Sequence, residues 1–209
     1  MSDAAKASGE AEETKDIPNM SLLDITEGDN ERGIPKAKFI DDVDAFSSSF
    51  QPAASAELLI GAYSDLMNKY RNYEGQLQQR QLRLKEKVPE LEKSLSLLRT
   101  LIEKQQDPDT TTGITRYSLA DNIFAQAELD YKNNNTVNLW LGANVMLEFT
   151  YQEALDFLSQ NQERAKNELD DTVSDLAFVR DQIVTSEVTM SRVFNWDVRK
   201  KRKDGSKTN

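Results

Sequence analysis

Few residues of this chain belong to the types that carry out chemistry. Its 209 residues include no cysteine and no histidine, which removes thiolate and imidazole catalysis and nearly all zinc chemistry. Adjacent carboxylate pairs such as Asp41–Asp42 and Asp170–Asp171 lie at surface-like positions, with no predicted apolar pocket to raise the pKa of either carboxyl for acid–base catalysis. Neither a phosphate-binding glycine loop nor a metal-ligand spacing occurs in the sequence. The sequence therefore predicts a protein that is not an enzyme and that needs no cofactor or metal.

The charge balance narrows the class of protein further. The chain carries 26 basic and 36 acidic residues, a net charge of −10, which argues against general nucleic-acid binding. No apolar run approaches the roughly 18 residues that span a bilayer, and residues 1–16 lack the basic and apolar regions of a signal peptide. We therefore expect a soluble intracellular protein that binds neither nucleic acid nor membrane.

Two long segments carry apolar residues at alternating steps of three and four, which predicts helices over 52–106 and 150–199. A stripe that repeats about every 3.5 residues needs a partner helix to cover it. Because one chain carries both stripes and a reversing element between them, the sequence predicts an antiparallel two-helix coiled coil. The apolar positions are Leu59, Tyr63, Leu66, Tyr70, Tyr73, Leu77, Leu84, Val88, Leu91, Leu95, Leu98 and Ile102, then Leu155, Leu158, Ala165, Leu169, Leu176, Val179, Ile183 and Met190.

Local signals mark the helix ends. Either Pro52 occupies the first turn of the first helix or Ser55 caps it. Thr150, with Glu153 three residues later, has the pattern of a capping box for the second helix. Pro89 lies in the middle of the first helix, where we expect a kink or a missing backbone hydrogen bond.

Residues 107–149 between the helices have strand-like composition. Turn signals at 133–135 and 142–143 predict four short strands in two β-hairpins. Isolated hairpins are marginal in water and leave open edges, so we expect other chains to complete this region by assembly. The densest apolar cluster here is the predicted assembly surface, which comprises Leu139, Trp140, Leu141, Val145, Met146 and Leu147.

Three further segments lie outside the helices and strands. Residues 1–31 are acidic and poor in aromatic residues, which predicts a disordered leader. Residues 32–51 are predicted to be extended, with a short amphipathic turn. Residues 200–209 are predicted to be a disordered basic tail. The basic run 199–203 is compatible with a solvated helix end or with a nuclear-targeting or nucleic-acid element.

Apolar residues also collect at the start of the first helix and the end of the second. An antiparallel arrangement brings these two ends together, away from the strands. The residues either pack on one another or form an exposed patch that captures apolar segments of a partner. The predicted binding set is Ile34, Phe39, Ile40, Phe46, Val193, Phe194 and Trp196.

Four stretches of the sequence resemble an α-type subunit of the prefoldin family. They are RGIPKAKFIDDVDAF (32–46), VPELEKSL (88–95), LWLGANVMLEFTYQEA (139–154) and TMSRVFNWDVRKKR (189–202). The motifs LWLGANVMLEF and RVFNWDV are specific, whereas coiled-coil periodicity is not. The stretches follow one another from residue 32 onwards, so the resemblance covers most of the chain.

The resemblance implies a mainly α fold with a small β insert, in which two β-hairpins join the helices of an antiparallel coiled coil. It implies a hetero-hexamer with other prefoldin subunits, joined through the strands of 114–149. Such a complex captures unfolded actin and tubulin at the coiled-coil ends and delivers them to the cytosolic group II chaperonin without ATP. The expected client contacts are then Phe39, Phe46, Phe194 and Trp196, and the expected location is the cytoplasm, with the nucleus left open by the basic tail.

The alternative is a coiled-coil tether or scaffold protein in cytoskeletal or vesicle traffic. A tether of this kind usually dimerises in parallel and lacks a central strand insert. The relative direction of the two helices therefore distinguishes the two interpretations.

Overall fold

The computed structural model describes residues 25–205 of the chain, so most of the predicted leader 1–31 and the last four residues of the predicted tail lie outside the described residues. Two long helices and two central hairpins confirm the predicted fold class, mainly α with a small β insert. The strands pair in three separate antiparallel sheets, β1–β2, β3–β4 and β5–β6. The elements are β1 (Thr26–Asp29), β2 (Pro35–Ala37), α1 (Val43–Ser48), α2 (Ala56–Gln106), β3 (Thr112–Ala120), β4 (Ile123–Asp130), β5 (Thr136–Gly142), β6 (Val145–Thr150) and α3 (Tyr151–Gly205).

The chain divides into two compact units, and each contains part of both long helices. Over the described residues, unit 1 consists of 25–75 and 177–205, and unit 2 consists of Gln76–Leu176. In unit 1, Arg71 pairs with Glu187, whereas Glu74, one turn further along α2, pairs with Arg180 nearer the start of α3. In unit 2, Leu98, near the end of α2, shares a cluster with Tyr151 at the start of α3. The two helices are therefore antiparallel within each unit.

The core of unit 1 lies along the predicted stripe of α2. Leu59, Tyr63, Leu66 and Tyr70 recur at steps of four, three and four, and all four are 0% exposed. This spacing keeps the four side chains on one face of the helix. From α3, Val179 and Val193 are equally inaccessible.

Residues 25–42, here called the N-terminal strap, lie against this core. Ile25, Ile34, Ala37 and Ile40 of the strap are buried, and β1 and β2 form a small irregular hairpin. The side chain of Asn30 closes its loop by accepting hydrogen bonds from the backbone N–H groups of Arg32 and Ile34. Part of the segment predicted to be a disordered leader, residues 25–31, is thus folded, because the helices supply the apolar contacts that the segment cannot make alone.

The start of α2 agrees with the predicted cap at Ser55 and not with the alternative, Pro52 in the first turn. The helix begins at Ala56, and the Ser55 hydroxyl accepts the backbone N–H of Leu58 at 3.2 Å. Ser55 is therefore the N-cap, and Pro52 precedes the helix. The connection before the cap is fastened by Ser47 of α1, whose buried hydroxyl donates to the carbonyl of Ala54 at 2.6 Å.

The predicted capping box of α3 is present. The backbone N–H and the hydroxyl of Thr150 both donate to Glu153 Oε2, at 3.0 and 2.8 Å, and the Glu153 N–H donates back to the Thr150 hydroxyl at 3.3 Å. These hydrogen bonds, the backbone one first, hold the pKa of the Glu153 carboxyl below its ordinary value. The box fixes the point where strand β6 gives way to helix α3.

The end of α2 is bound by residues that follow strand β4. Lys132 Nζ donates to the carbonyl oxygens of Gln105 and Asp107, at 2.8 and 2.6 Å. Gln105 Nε2 in turn donates to the carbonyl of Asn134 at 3.1 Å. The carbonyls at a helix C-terminus have no partner within the helix and carry partial negative charge. The Lys132 ammonium group supplies hydrogen bonds to these carbonyls and a positive charge beside them.

The basic run at the end of α3 is helical to Gly205, not disordered from residue 200 as predicted. Lys201 forms an ion pair with Asp197 one turn earlier, at 2.7 Å, and Arg199 donates to the carbonyl of Asn195. Lysine and arginine are good helix formers, and cations are favoured at this end of a helix. These effects extend α3 beyond its last apolar residue.

Three residues that disfavour helices lie inside α2. Pro89 is within the helix, which continues on both sides of it. Gly61 and Gly75 are also helical, and a Cβ added at either glycine would have no neighbour within 4 Å. No packing constraint of the described residues therefore requires glycine at these two positions.

Gly61→Ala and Gly75→Ala should each raise the free energy of unfolding by about 0.5–1 kcal/mol, since alanine has the higher helix propensity and meets no clash. Chemical denaturation followed by circular dichroism measures the change. Gly142→Ala is the matched control with the opposite sign. Gly142 has φ of +91°, where an L side chain is strained, so that variant should be less stable. Destabilisation at 61 or 75 would contradict the prediction.

Thr150→Ala should lower the free energy of unfolding at pH 7 by about 1 kcal/mol through loss of the cap. Because the folded-state pKa of Glu153 is lowered, its contribution is present above the unfolded value of about 4.3 and is lost as pH falls through the folded value. The Glu153→Gln variant should therefore have a lower free energy of unfolding than the unsubstituted chain at pH 7. The two values should approach each other below about pH 4. Denaturation curves at both pH values, with the exposed Glu163→Gln as control, test this. A gap that stays constant with pH would refute it.

Candidate functional site

The β5–β6 hairpin in unit 2 presents a large apolar surface. Trp140 pairs with Met146 across the hairpin, and their side chains are 60% and 54% exposed. Three further residues of the predicted assembly surface are exposed beside them, namely Leu141, Val145 and Leu147. Large apolar side chains on a two-stranded sheet, which the described residues leave uncovered, favour contact with another chain.

Leu139, the sixth residue of the predicted assembly surface, has a different environment. It packs with Val137 and Phe149 against a cluster on the two helices. The buried members of that cluster are Leu95, Leu98, Tyr151, Ala154 and Leu158. Some apolar side chains of the hairpin thus pack on the helices, whereas the others remain exposed to solvent.

The β3–β4 hairpin carries a second exposed apolar surface, which the sequence analysis did not single out. The strand-like composition of residues 107–149 predicted the strands but did not show which of their side chains remain uncovered. A turn with Asn122 at φ of +64° joins β3 to β4. Its exposed apolar residues are Ile114, Tyr117, Leu119, Ile123 and Phe124.

The predicted binding set in unit 1 divides into buried and accessible residues. Ile34, Ile40 and Val193 are buried, so the structure does not place them on an accessible surface. Their burial favours the predicted alternative in which these residues pack within the chain over the one in which they form an exposed patch.

The remaining four aromatic residues are here called the terminal cluster: Phe39, Phe46, Phe194 and Trp196. Phe39 and Phe194 are exposed, at 48% and 59%, whereas Phe46 and Trp196 are partly buried. This accessible group is smaller than the predicted set.

Polar contacts join the strap and α1 to the last turns of α3. The indole N–H of Trp196 donates to Asp44 Oδ1 at 2.7 Å, and Arg192 forms an ion pair with Asp41 at 2.7 Å. The Arg192 guanidinium also lies 4.9 Å from the centre of the Phe39 ring. The start of α1 and the end of α3 are therefore neighbours, as the antiparallel prediction required.

Two further aromatic rings of the terminal cluster lie against a cation. Lys200 Nζ is 4.7 Å from the Trp196 ring centre, and Lys38 Nζ is 5.1 Å from that of Phe46. Such contacts are worth about 0.5–1 kcal/mol at exposed sites. Local spacing in the sequence does not show that Lys38 and Arg192 lie against aromatic rings, so the sequence analysis missed these cations.

An open cleft of about 1060 Å³ lies beside these contacts, within unit 1. Asp41, Asp42 and Asp44 line it together with basic residues from the end of α3. The basic lining residues are Arg192, Arg199, Lys200 and Lys203. With both signs of charge in one cleft, the site suits polar contacts to a partner and has no grouping of a nucleophile with a base.

The strap is fastened to the helices through its backbone. Tyr63 Oη donates to the carbonyl of Lys38 and Tyr70 Oη to that of Pro35, both at 2.7 Å. From α3, the Gln182 side-chain carbonyl accepts the N–H of Ala37 at 3.0 Å. Burial raises the pKa of both phenols well above their ordinary value, so both tyrosines remain hydrogen-bond donors at neutral pH.

No cluster of metal-ligating side chains occurs within residues 25–205. None of the helices in the same range contains an apolar stretch long enough to cross a bilayer.

Comparison with known proteins identifies the family. A protein-family model described as prefoldin subunit matches residues 70–196. Prefoldin subunit 3 of Mus musculus is 40% identical over 178 residues, which cover 85% of this chain and 88% of the mouse protein. The human prefoldin subunit 3 is also 40% identical, with 85% and 87% coverage. Probable prefoldin subunit 3 of Schizosaccharomyces pombe is 38% identical, with 83% and 97% coverage.

Among solved structures, the cryo-EM structure of filamentous PFD from Methanocaldococcus jannaschii is similar. It is 21% identical, with a TM-score of 0.42, and the match covers 56% of this chain and 90% of that chain. The family match and the identities to the curated relatives confirm the resemblance predicted from the four sequence stretches: the chain belongs to the prefoldin family.

Proposed function

We propose that this chain is an α-type subunit of a hetero-hexameric prefoldin, which holds unfolded proteins and transfers them to the group II chaperonin without ATP. The observation that carries the proposal is the exposed apolar surface of the two central hairpins in a chain of this family. The tether alternative predicted parallel helices without a strand insert. Antiparallel helices and two hairpins disfavour it.

Assembly through the hairpins is supported by what the described residues leave uncovered. Trp140 and Met146 on one hairpin, and Ile114 and Phe124 on the other, each expose more than half of their side-chain surface. Each hairpin is a two-stranded sheet with unpaired edges. Pairing with strands of neighbouring subunits covers both the edges and the apolar side chains. Other prefoldin subunits are therefore the expected partners of this chain.

Client holding is assigned to the terminal cluster in unit 1. Phe39 and Phe194 expose apolar surface, and Phe39 does so beside the Arg192 guanidinium. Such a surface is suited to weak contact with the apolar segments of an unfolded chain. A patch of this size gives a reversible contact, and several subunits acting together raise the overall affinity through effective concentration. Release then needs only a competing surface, such as the chaperonin, and no bond cleavage. Unfolded actin and tubulin are the proposed clients, and the cytoplasm is the proposed location.

Trp140→Asp should block assembly. Trp140 is exposed in the single chain, so the substitution leaves the subunit fold intact and places an unpaired charge in the proposed interface. Loss of such an aromatic contact costs about 2 kcal/mol or more, at least a thirtyfold loss of affinity. Native mass spectrometry of the six co-expressed subunits measures it. Trp140→Phe is the control and should assemble. A normal hexamer containing the aspartate variant would rule out this assembly surface.

Phe194→Ala combined with Trp196→Ala should weaken client holding and leave the hexamer intact, because both residues lie in unit 1 and not in the hairpins. The assay is suppression of aggregation of guanidinium-unfolded actin, with an expected loss of roughly twofold to tenfold. Leu97→Ala, which removes an equally exposed apolar side chain of α2 in unit 2, should have no effect. Unchanged holding by the double variant would exclude the terminal cluster as the client site.

A further inference from the structure

The strap occupies a groove in which three side chains of the long helices bind its main chain. The groove, here called the strap groove, is marked by Tyr63 and Tyr70 on α2 and Gln182 on α3. These side chains bind the carbonyls of Lys38 and Pro35 and the N–H of Ala37. Carbonyl and N–H groups are common to every polypeptide. The hydrogen bonds of the groove therefore fix an extended backbone without specifying the side chains that it carries.

The apolar contribution of the strap is equally general. Ile34, Ala37 and Ile40 are buried at intervals of three, whereas Lys36 and Phe39 between them face solvent. An aliphatic residue at every third position of an extended segment is a pattern that unfolded proteins present often. The strap therefore has the features of a typical apolar segment of an unfolded chain, held here by its own protein.

The α3 side of unit 1 leaves room for such a segment. Gln182, Ser186 and Thr189 are buried where a coiled coil ordinarily places large apolar residues. The hydroxyls of Ser186 and Thr189 donate to carbonyls one turn earlier in their own helix, Gln182 and Thr185, at 2.8 Å. Short side chains bonded to their own helix cannot fill the space between α2 and α3, so a third segment is needed to complete the core.

We infer that the strap groove is a binding site for extended apolar segments of unfolded proteins and that the N-terminal strap is its displaceable resident occupant. This inference rests on the proposed function, because it assumes that the subunit holds unfolded chains. A displaced strap leaves Tyr63, Tyr70 and Gln182 free to bind the backbone of the incoming segment. The groove then adds a main-chain binding site to the aromatic contacts of the terminal cluster.

The covalent link between strap and groove makes the site selective. An intramolecular segment competes at an effective concentration of about millimolar. Only a segment that buries more apolar surface than the four buried aliphatic side chains of the strap displaces it. Folded proteins and polar chains do not meet that condition, whereas unfolded apolar chains do.

Weakening the strap without altering the groove tests the inference by the sign of the effect. Ile34→Ala with Ile40→Ala removes apolar anchors of the strap, so unfolded actin should bind the hexamer more tightly, by roughly threefold. If these isoleucines contacted the client themselves, or served only the core, binding would weaken or stay unchanged. Lys36→Ala, at an exposed position of the same strap, is the matched control and should bind as the unsubstituted protein does.

Locking the strap provides the opposite perturbation. Because the chain has no cysteine, Ala37→Cys with Gln182→Cys gives a single disulfide, and the reduced form of the same protein is its control. The oxidised hexamer should hold guanidinium-unfolded actin roughly twofold to fivefold less well than the reduced one. Amide hydrogen exchange of residues 25–42 should rise when unfolded actin is added to the reduced form and should not change in the oxidised form.

A fluorescent synthetic peptide of residues 25–42 provides a probe that does not depend on client holding. It should bind the Ile34→Ala, Ile40→Ala protein more tightly than the unsubstituted protein and should not bind the oxidised form. A hexamer that holds unfolded actin while strap exchange stays unchanged or slows overturns this inference alone. A hexamer that fails to hold actin overturns the proposed function. In that case the peptide tests the inference by itself, and a peptide that binds none of the variants overturns the inference.

Discussion

Two helices with narrow apolar stripes cannot complete a core by themselves, and this constraint governs both units of the chain. In unit 1 the space between the helices is completed by the strap, whose Ile34 and Ile40 are buried. In unit 2, Val137, Leu139 and Phe149 of the β5–β6 hairpin pack against the cluster around Leu98 and Tyr151. In each case an extended segment serves as a third layer over a helix pair, since a helix pair leaves one side of its stripe partly uncovered.

The same constraint explains where apolar surface remains exposed. Each extended segment is a hairpin with two faces and two edges, and the helices cover only part of it. The uncovered remainder includes Phe39 on the strap and Trp140 on β5. Exposed apolar residues are therefore a by-product of how the chain completes its cores, and the proposed functions of assembly and client holding make use of them.

Local patterns predicted much of this fold because the forces behind them act over a few residues. The capping box of Thr150 and Glu153 and the two central hairpins depend on neighbours in sequence and were predicted from it, whereas Ser55 was one of two predicted starts of α2. An extended segment from residue 32 was predicted, but its docking on the helices was not, since the hydrogen bond between Ala37 and Gln182 joins residues 145 positions apart. The burial of Ile34, Ile40 and Val193 agrees with the alternative in which these residues pack within the chain, which local patterns could not distinguish from an exposed patch. Helical structure beyond residue 199 was missed because no apolar residue marks it.

The ammonium group of Lys132 has a mechanical consequence. It joins the last carbonyls of α2 to the segment that leaves β4, while Gln105 reaches across to Asn134. A hairpin on a free hinge would transmit no torque to the helix before it. Here the hydrogen bonds couple the strands to the end of α2, so a change in the orientation of the β3–β4 hairpin is transmitted to that helix.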